Sequence, residues 1–569
     1  MALEKPSRQP ASRKEAILSR REIEHMIAKG HTVFITSGRV IKADAWLRFH
    51  PGGDKAVKHM VGRDATDEVH ALHSTQTLEY MTKYQIGRIN GYWRNFLPPI
   101  QGGAFRTIDE AEEAGEEQRL QYAESSSSQG SSPLDSPLFD PVDQDESRRR
   151  KRHLNDDETS SISSTSTMEL TPLEMSKNLS HMDVYTQEAI DLDLAKYPPL
   201  DAATQNVIVQ KYRLLQQRIQ AEGLYKCNYT AYLIEFCRYV LLLAMFLTFL
   251  HYGWYGTSGA FLGLTWHQLV FTVHDAGHMG ITHDFQTDTV IGMLIADYIG
   301  GLSLGWWKRN HNVHHVVTNS PEHDPDIEHM PFFAISHRFL NSLRSTYYDR
   351  IMTYDTMAKY MIRYQHLLYY PILLLGRFNL YRLSWEFLIQ GQGPRKGPAR
   401  WHRWFEIAGH VFFWFWFGYL VLYKAIPTTG GRISFLLISH MITGPLHVQI
   451  TLSHFAMSTA DHGVDESFPQ KMLRTTMDVD CPQWLDFVHG GLQFQAIHHL
   501  YPRIPRHNLR RTQKLVQEFC HEVEIPYALY GFVDGNKEVL GRLADVGRQA
   551  AILAECQKTI ASQGNIAIH

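Results

Sequence analysis

Three clusters of histidines constrain this chain more than any other feature. The first reads His274-Asp275-Ala276-Gly277-His278, the second His311-Asn312-Val313-His314-His315, and the third Gln495-Ala496-Ile497-His498-His499. Residues three and four apart share one face of a helix. Each cluster therefore aims its imidazoles in one direction, as a polynuclear metal site requires. Interfacial histidines bonded to backbone and lipid headgroups would account for a single such cluster. Three of matching geometry, each placed after an apolar segment, point instead to segments that meet around metal.

At 569 residues the chain is long enough for two or more modules. Its net charge of −3 gives no electrostatic case for nucleic acid or an acidic substrate. Five cysteines (Cys227, Cys237, Cys481, Cys520, Cys556) form no CxxC pair and are odd in number. That pattern fits a reducing compartment better than a disulfide framework. Mean hydropathy is mildly polar only because long polar stretches dilute an apolar middle. The first residues lack an apolar run, so no cleaved signal peptide is expected and membrane insertion must come from internal spans.

Residues 1–18 read as a tail and 19–98 as a small α+β module. Within it, β-prone pieces at 32–35 and 39–41 precede His50-Pro51-Gly52-Gly53, and helical patterns follow over 53–60 and 65–73. The tetrapeptide alone is compatible with an ordinary Pro-Gly turn. A second histidine, His73, and acidic helix-start residues such as Asp64 say more. Two helical loops so spaced can clamp a flat cofactor between two imidazoles, an axial arrangement suited to electron transfer. Residues 99–204 change character, with glutamates at 110, 112, 113, 116, 117 and 124, serine runs at 125–128 and 160–166, and a basic run at 148–152. Few large apolar residues occur there, so this stretch reads as a disordered linker. The basic run is read as solvated or lipid-attracted rather than as a nuclear signal.

An amphipathic pattern over 205–222 leads to apolar candidates for spans at 231–251, 256–273, 408–426 and 433–450, each near the ~20 residues that cross a bilayer. Segments 290–306 and 367–381 are weaker. All three clusters must reach one side of the membrane. Segment 290–306, lying between the first two, is therefore expected to stay in the interface or re-enter, leaving four crossings in two hairpins. Lysines and arginines in 377–403 and after Pro502 mark that side as cytosolic. The amino-terminal module faces the same water.

Imidazole suits iron, zinc or copper. A zinc hydrolase would want a carboxylate base as in HExxH, which is absent. A one-electron carrier on the same chain serves a redox iron pair instead, and about eight nitrogen ligands are too many for one ion.

The stretch His50-Pro51-Gly52-Gly53-Asp54, with the run ending His70-Ala71-Leu72-His73-Ser74, resembles a cytochrome b5 domain. That resemblance covers the whole module and implies haem b held by His50 and His73. The interval is one residue shorter than in the common microsomal form, and His73 is preferred to His70 because it precedes Ser74. The region from about 230 to 515 resembles the membrane fatty-acyl desaturases, and most closely the front-end group that carries an amino-terminal cytochrome b5 domain. The resemblance implies two non-haem irons held by His274, His278, His311, His314, His315, His498 and His499. His454 is the candidate for a further ligand, ahead of His447 and His440. Gln495 matches the glutamine that replaces the first histidine of the third box and is the candidate catalytic residue. Asp324 and Asp326 are expected to orient imidazoles. His267 and His283 match no motif and read as structural. Trp306 and Trp307 read as interfacial anchors before tunnel lining.

The fold expected is thus an α+β cytochrome b5-like domain followed by a mainly α-helical integral membrane desaturase domain. Four transmembrane helices and cytosolic histidine-box helices would make up the latter, over 205–515, with 516–569 as a cytosolic helical tail. Many front-end enzymes read Gln-Ile-Glu-His-His where this chain has Ala496-Ile497. With the serine-rich insert, that departure is similar to fungal sphingolipid Δ8-desaturases, which introduce a trans double bond at carbon 8 of the long-chain base of ceramides. The expectation is an oxygen-dependent enzyme of the endoplasmic reticulum membrane. Electrons would come from NADH through a separate cytochrome b5 reductase, since no nucleotide-binding glycine fingerprint occurs. Its partners would be a ceramide or related sphingolipid, that reductase and membrane lipid, with no nucleic acid. The alternatives are a Δ6-type acyl-lipid desaturase, a sphingoid-base hydroxylase and a non-catalytic haem-binding electron donor.

Overall fold

The structure, a computed structural model, describes residues 13–113, 188 and 191–566. The serine runs and the basic run at 148–152 lie outside the described residues. Near the amino end, β1 (Val33–Thr36), β2 (Arg39–Lys42) and β3 (Gln85–Arg88) pair antiparallel in the order β1-β2-β3. Ser37 and Gly38, between β1 and β2, both have positive φ (51° and 70°), the conformation of a two-residue hairpin whose twist matches its strands. β3 was not foreseen, because Gln85 and Gly87 are poor strand formers; pairing with β2 across a register shift decides it. Helices α1 (Asp54–Lys58) and α2 (Thr66–Leu72) follow the expected helical patterns, and His50 and His73 sit just before the one and just after the other.

The rest is mainly helical. Asp201 caps α3 (Ala202–Ala221) by accepting from the Ala203 and Thr204 amides (2.9 and 3.1 Å), and Ile208, Tyr212, Leu215 and Ile219 form its buried stripe. Next come α4 (Tyr229–His251) and α5 (Tyr255–Gly277). A sharply bent pair follows, α6 (Phe285–Met293), continued by a wider turn over Leu294–Ile299, and α7 (Leu304–Val317). Beyond it lie α8 (His402–Phe413), continued in a wider helical turn to Ala425, then α9 (Thr429–Met441) and α10 (Gly444–Phe455). The third histidine cluster opens the short α11 (Gln495–Leu500), and α12 (Arg506–Glu522) and α13 (Phe532–Ile566) close the described chain.

Among the described residues, three stretches are long and apolar enough to cross a membrane: α4, His402–Ala425 and Thr429–Phe455, with the bent pair a fourth if it counts as one span. These three contain the expected spans 231–251, 408–426 (to within a residue) and 433–450. The expected span 256–273 lies in α5, which matches α4 in length but carries Thr265, His267 and Gln268 and is packed between α4 and α9. Small residues make that packing possible. A Cβ at Gly259 would lie 2.8 Å from the Phe435 carbonyl oxygen, and one at Gly263 2.5 Å from that of Ser439. α4 turns Leu233, Ile234, Phe236 and Leu241 outward, each at least 60 % exposed, as a lipid-facing helix does.

The segment expected to re-enter bends by 117° between α6 and α7. Its turn frees carbonyls that must find donors in an apolar setting. Trp416 Nε1 donates to Tyr298 O (2.9 Å), Trp266 Nε1 to Ile299 O (3.0 Å) and Arg377 Nη2 to Gly300 O (2.6 Å). Segment 367–381 is broken at Leu375 into two helices.

The carboxyl end differs from a tail. α12 runs through the expected boundary at 515, Asp478–Asp480 and Leu529–Gly531 pair in parallel, and α13 buries Val539, Leu543, Val546 and Ala550 against the helical core. Gln365 Nε2 donates to Leu543 O (2.9 Å) and Arg542 Nη1 to Met457 O (2.6 Å). The polar face of α13 dominates its sequence, which is why the docked side was missed.

Candidate metal and haem centres

α5 carries His274 in its last turn with His278 just beyond it, α7 carries His311, His314 and His315, α11 carries His498 and His499, and α10 carries His454 in its last turn. Four elements far apart in sequence thus deliver their histidines to one place. Ligand atoms of His274, His278, His311 and His498 lie within 4.8 Å of one another, as do those of His314, His454 and His499. His315 lies between the two groups. Its Nε2 is 3.1 Å from His311 Nε2 and 3.2 Å from His498 Nε2, and its ring stacks on His499 at 4.2 Å. The geometry therefore makes two adjoining nests of imidazole.

Several of these nitrogens are left for a metal. His278 Nε2, His315 Nδ1, His454 Nδ1 and His499 Nε2 are buried with no hydrogen-bond partner among the described residues. Orphaned polar atoms are costly in an interior, and here they converge. Burial and neighbouring imidazoles hold His498 and His499 well below the ordinary histidine range, so both stay neutral, as ligands must be. The donor set fits transition-metal ions, two rather than one by its division into nests.

Carboxylates fix the rings from behind. His314 Nδ1 donates to Asp324 (2.8 Å), which is fully buried and also accepts the Asn319 and Asp326 amides (2.7 and 2.9 Å). Such a bond fixes the tautomer and turns Nε2 toward the centre. Asp326 Oδ2 lies 3.5 Å from His311 Nδ1, at the edge of hydrogen-bond reach, while its Oδ1 accepts from Asn310 Nδ2. Both expected orienting acids are thus in place.

His454 is brought to the site, its ring 4.5 Å from that of His314 and 4.9 Å from that of His499. His447 and His440 are not. His447 Nδ1 donates to Leu373 O (3.0 Å), and His440 stacks on Phe378 at 4.5 Å with Nδ1 on Leu436 O (2.8 Å). Gln495 is buried at the first position of α11, one turn before His498 and His499 and on their face. His283 lies between the carbonyls of Met279 (2.8 Å) and Tyr225 (2.7 Å), and His267 lies beside Gln268 and Phe271, both away from the centre. Trp307 departs from the interfacial reading. It stacks on His311 at 4.5 Å and edges His274 and His278 at 5.5 and 5.3 Å, so it walls the metal site.

Sequence reasoning passed over Asp275 and Arg506. The buried Arg506 guanidinium pairs with Asp275 and with Glu235, and His507 Nε2 lies 2.9 Å from Glu235. This network straps α12 to α5 and α4 beside the first and third clusters. Asp275 lies inside the first cluster and Arg506 soon after the third, but no spacing rule pairs them.

In the amino-terminal module the rings of His50 and His73 face each other at 5.9 Å between centroids. Each donates Nδ1–H to a backbone carbonyl, His50 to Gly53 (2.8 Å) and His73 to Val69 (2.9 Å). The Nε2 atoms remain for an axial pair. Burial lowers the His50 imidazole and pushes His73 down to about 3, so both are neutral donors. His70, by contrast, is met by Ser37 Oγ at 3.2 Å and does not face His50.

Comparison with known proteins agrees with both halves. The fatty acid desaturase family matches residues 230–531, and the cytochrome b5-like heme/steroid binding domain matches 19–90. The chain belongs to the fatty acid desaturase family, as a membrane protein with a cytochrome b5-like domain at its amino end. It is 63 % identical to the Delta 8-(E)-sphingolipid desaturase of Emericella nidulans over 98 % of this chain and 99 % of that protein. The Delta 8-(E)-sphingolipid desaturase of Candida albicans is 45 % identical over 96 % of this chain and 98 % of its own length. An acyl-lipid (9-3)-desaturase of Borago officinalis is 37 % identical over 52 % of this chain and 64 % of its own length.

Proposed function

We propose that this protein is a Delta 8-(E)-sphingolipid desaturase, taking the long-chain base of a ceramide or related sphingolipid and making a trans double bond at carbon 8. The observation that carries the reading is the pair of adjoining imidazole nests on the same chain as a bis-histidine module, together with relatives of that printed activity along nearly the full length. His274, His278, His311, His314, His315, His454, His498 and His499 would hold two irons, and His50 and His73 the haem. Iron bound there would supply oxygen chemistry strong enough to remove hydrogen from an unactivated methylene.

The rest is the work of this chain's residues. Asp324 keeps His314 in one tautomer, Asp326 steadies His311, and Trp307 covers one wall of the nests and excludes water from that side. Gln495, level with the ligands of α11, is the candidate for a polar contact at the reacting centre. The reaction balances as follows: two hydrogens leave neighbouring carbons of the base, and one dioxygen becomes two waters. The two further electrons and two protons come from NADH, by way of a separate cytochrome b5 reductase and the amino-terminal module, and from water. Pairing of α5 with α4 supports four crossings in two hairpins. All boxes and the haem module then share the cytosolic face of the endoplasmic reticulum membrane, where lysine and arginine collect.

Expression in a yeast without sphingolipid desaturation, followed by mass spectrometry of long-chain bases and fatty acids, tests the reading. New 8-unsaturated bases are expected. New unsaturated fatty acids with unchanged bases would instead favour the acyl-lipid reading that the Borago relative represents.

A further inference from the structure

α7 has two working faces. His311, His314 and His315 lie on one side, with Trp307. Arg309, Asn312, Val313 and Val316 follow the helical spacing along the opposite side. That second side is where the haem-ligand module rests. Val313, Val316 and Val317 share one buried apolar cluster with Phe34, Ile41, Val57, Met60 and Val69 of the module. In the same module, Gly52 lies so close to α7 that a Cβ would fall 2.7 Å from Asn312 Nδ2 and 3.0 Å from His50 Cε1. The Asn312 amide therefore sits against the His50 loop, while the residue before it is a metal-nest histidine.

Charge pairs surround this contact. Asp54, at the start of α1, meets Arg309 Nη2 at 2.8 Å, with both side chains less than a quarter exposed. Lys55 Nζ donates to Thr346 O (2.7 Å) and to Tyr347 O, and Asp67 takes Arg213 through two bonds of 2.8 and 3.1 Å. The opposite axial residue is held too, since Arg503 Nη1 donates to His73 O at 2.9 Å. Arg503 follows the third cluster as Asn312 lies within the second, so each axial histidine is tied to a segment that carries metal-nest ligands.

We infer that the module works from a fixed seat on the back of the second-box helix, with Asn312, Arg309 and Arg503 as positioning residues that set the His50–His73 pair across a single helix from the metal nests. The separation then spans about one helix diameter, roughly 10–12 Å with side chains. Haem held by His50 and His73 would give up one electron at a time to iron held in the nests, and two such transfers would accompany each double bond. This inference rests on the redox reading above and concerns how the donor is placed, which that reading leaves open.

Charge reversal and exchange test it in the full-length, haem- and iron-loaded chain. Asp54→Arg and Arg309→Asp are each expected to speed amide hydrogen exchange across 50–55 and 309–317. Each should also slow substrate-dependent reoxidation of the reduced haem by about tenfold, equivalent to ~1.4 kcal/mol. The haem spectrum should stay unchanged. The double variant, which restores the pair with its signs exchanged, should recover both. Asn312→Ala should slow reoxidation without moving the haem midpoint potential. Single variants that exchange and reoxidise like the parent chain, or a double variant that recovers neither, would overturn the fixed seat. If the parent chain shows no substrate-dependent reoxidation but the exchange pattern follows the charge swap, the seat stands and the desaturase reading fails.

Discussion

His454 shows what one residue can decide. It closes the second nest from the end of α10, whereas His447, two turns earlier on the same helix, spends its Nδ1 on a backbone carbonyl. Removing a ligand lowers metal affinity; removing a histidine already satisfied elsewhere does not. His454→Ala is therefore expected to lose roughly half of the bound iron, one of two ions, while His447→Ala retains it. Metal analysis of purified protein checks this, and equal iron in the two variants would return the extra ligand to an open choice. Asp324 belongs to the same scale. Its carboxylate is fully buried and pays its desolvation only because His314 and two amides bond to it.

Among the elements, α5 carries the most demanding packing. Gly263 lets its backbone approach the Ser439 carbonyl, and the end of this helix aims His274 at the nests. Gly263→Leu should force α5 and α9 apart and cost about 1–3 kcal/mol, typical of overpacking. A lowered thermal unfolding midpoint with reduced iron content is the expected pair of results; an unchanged midpoint would refute close packing at this residue. The elements also show what could be read from sequence. The histidine spacing sufficed to turn three sets of imidazoles toward one place, because spacing on a helix is a local property. Requiring all boxes on one side calls for a break between the first two, and the 117° bend between α6 and α7 supplies one, its carbonyls bonded by Trp266, Trp416 and Arg377. The docking of α13 and the strap between Arg506 and Asp275 did not follow. Both depend on which distant faces meet, and a polar helix or a lone arginine carries no periodic sign of its partner. Trp307 was misjudged for the same reason, since tryptophan next to an apolar segment suits an interface equally well until its neighbours are known.

At the scale of the molecule, two redox modules share one chain and one helix. α7 gives its histidines to the metal nests on one face and its valines to the haem-ligand module on the other. Together they make an assembly that desaturates carbon 8 of a sphingoid base. The most direct measurement supplies a deuterium-labelled long-chain base to membranes containing the full-length chain, with NADH and cytochrome b5 reductase, and analyses the base by mass spectrometry. An 8-unsaturated trans product that is lost in His314→Ala is the expected result. A saturated base carrying a new hydroxyl, or no labelled product beside newly unsaturated fatty acids, would contradict it.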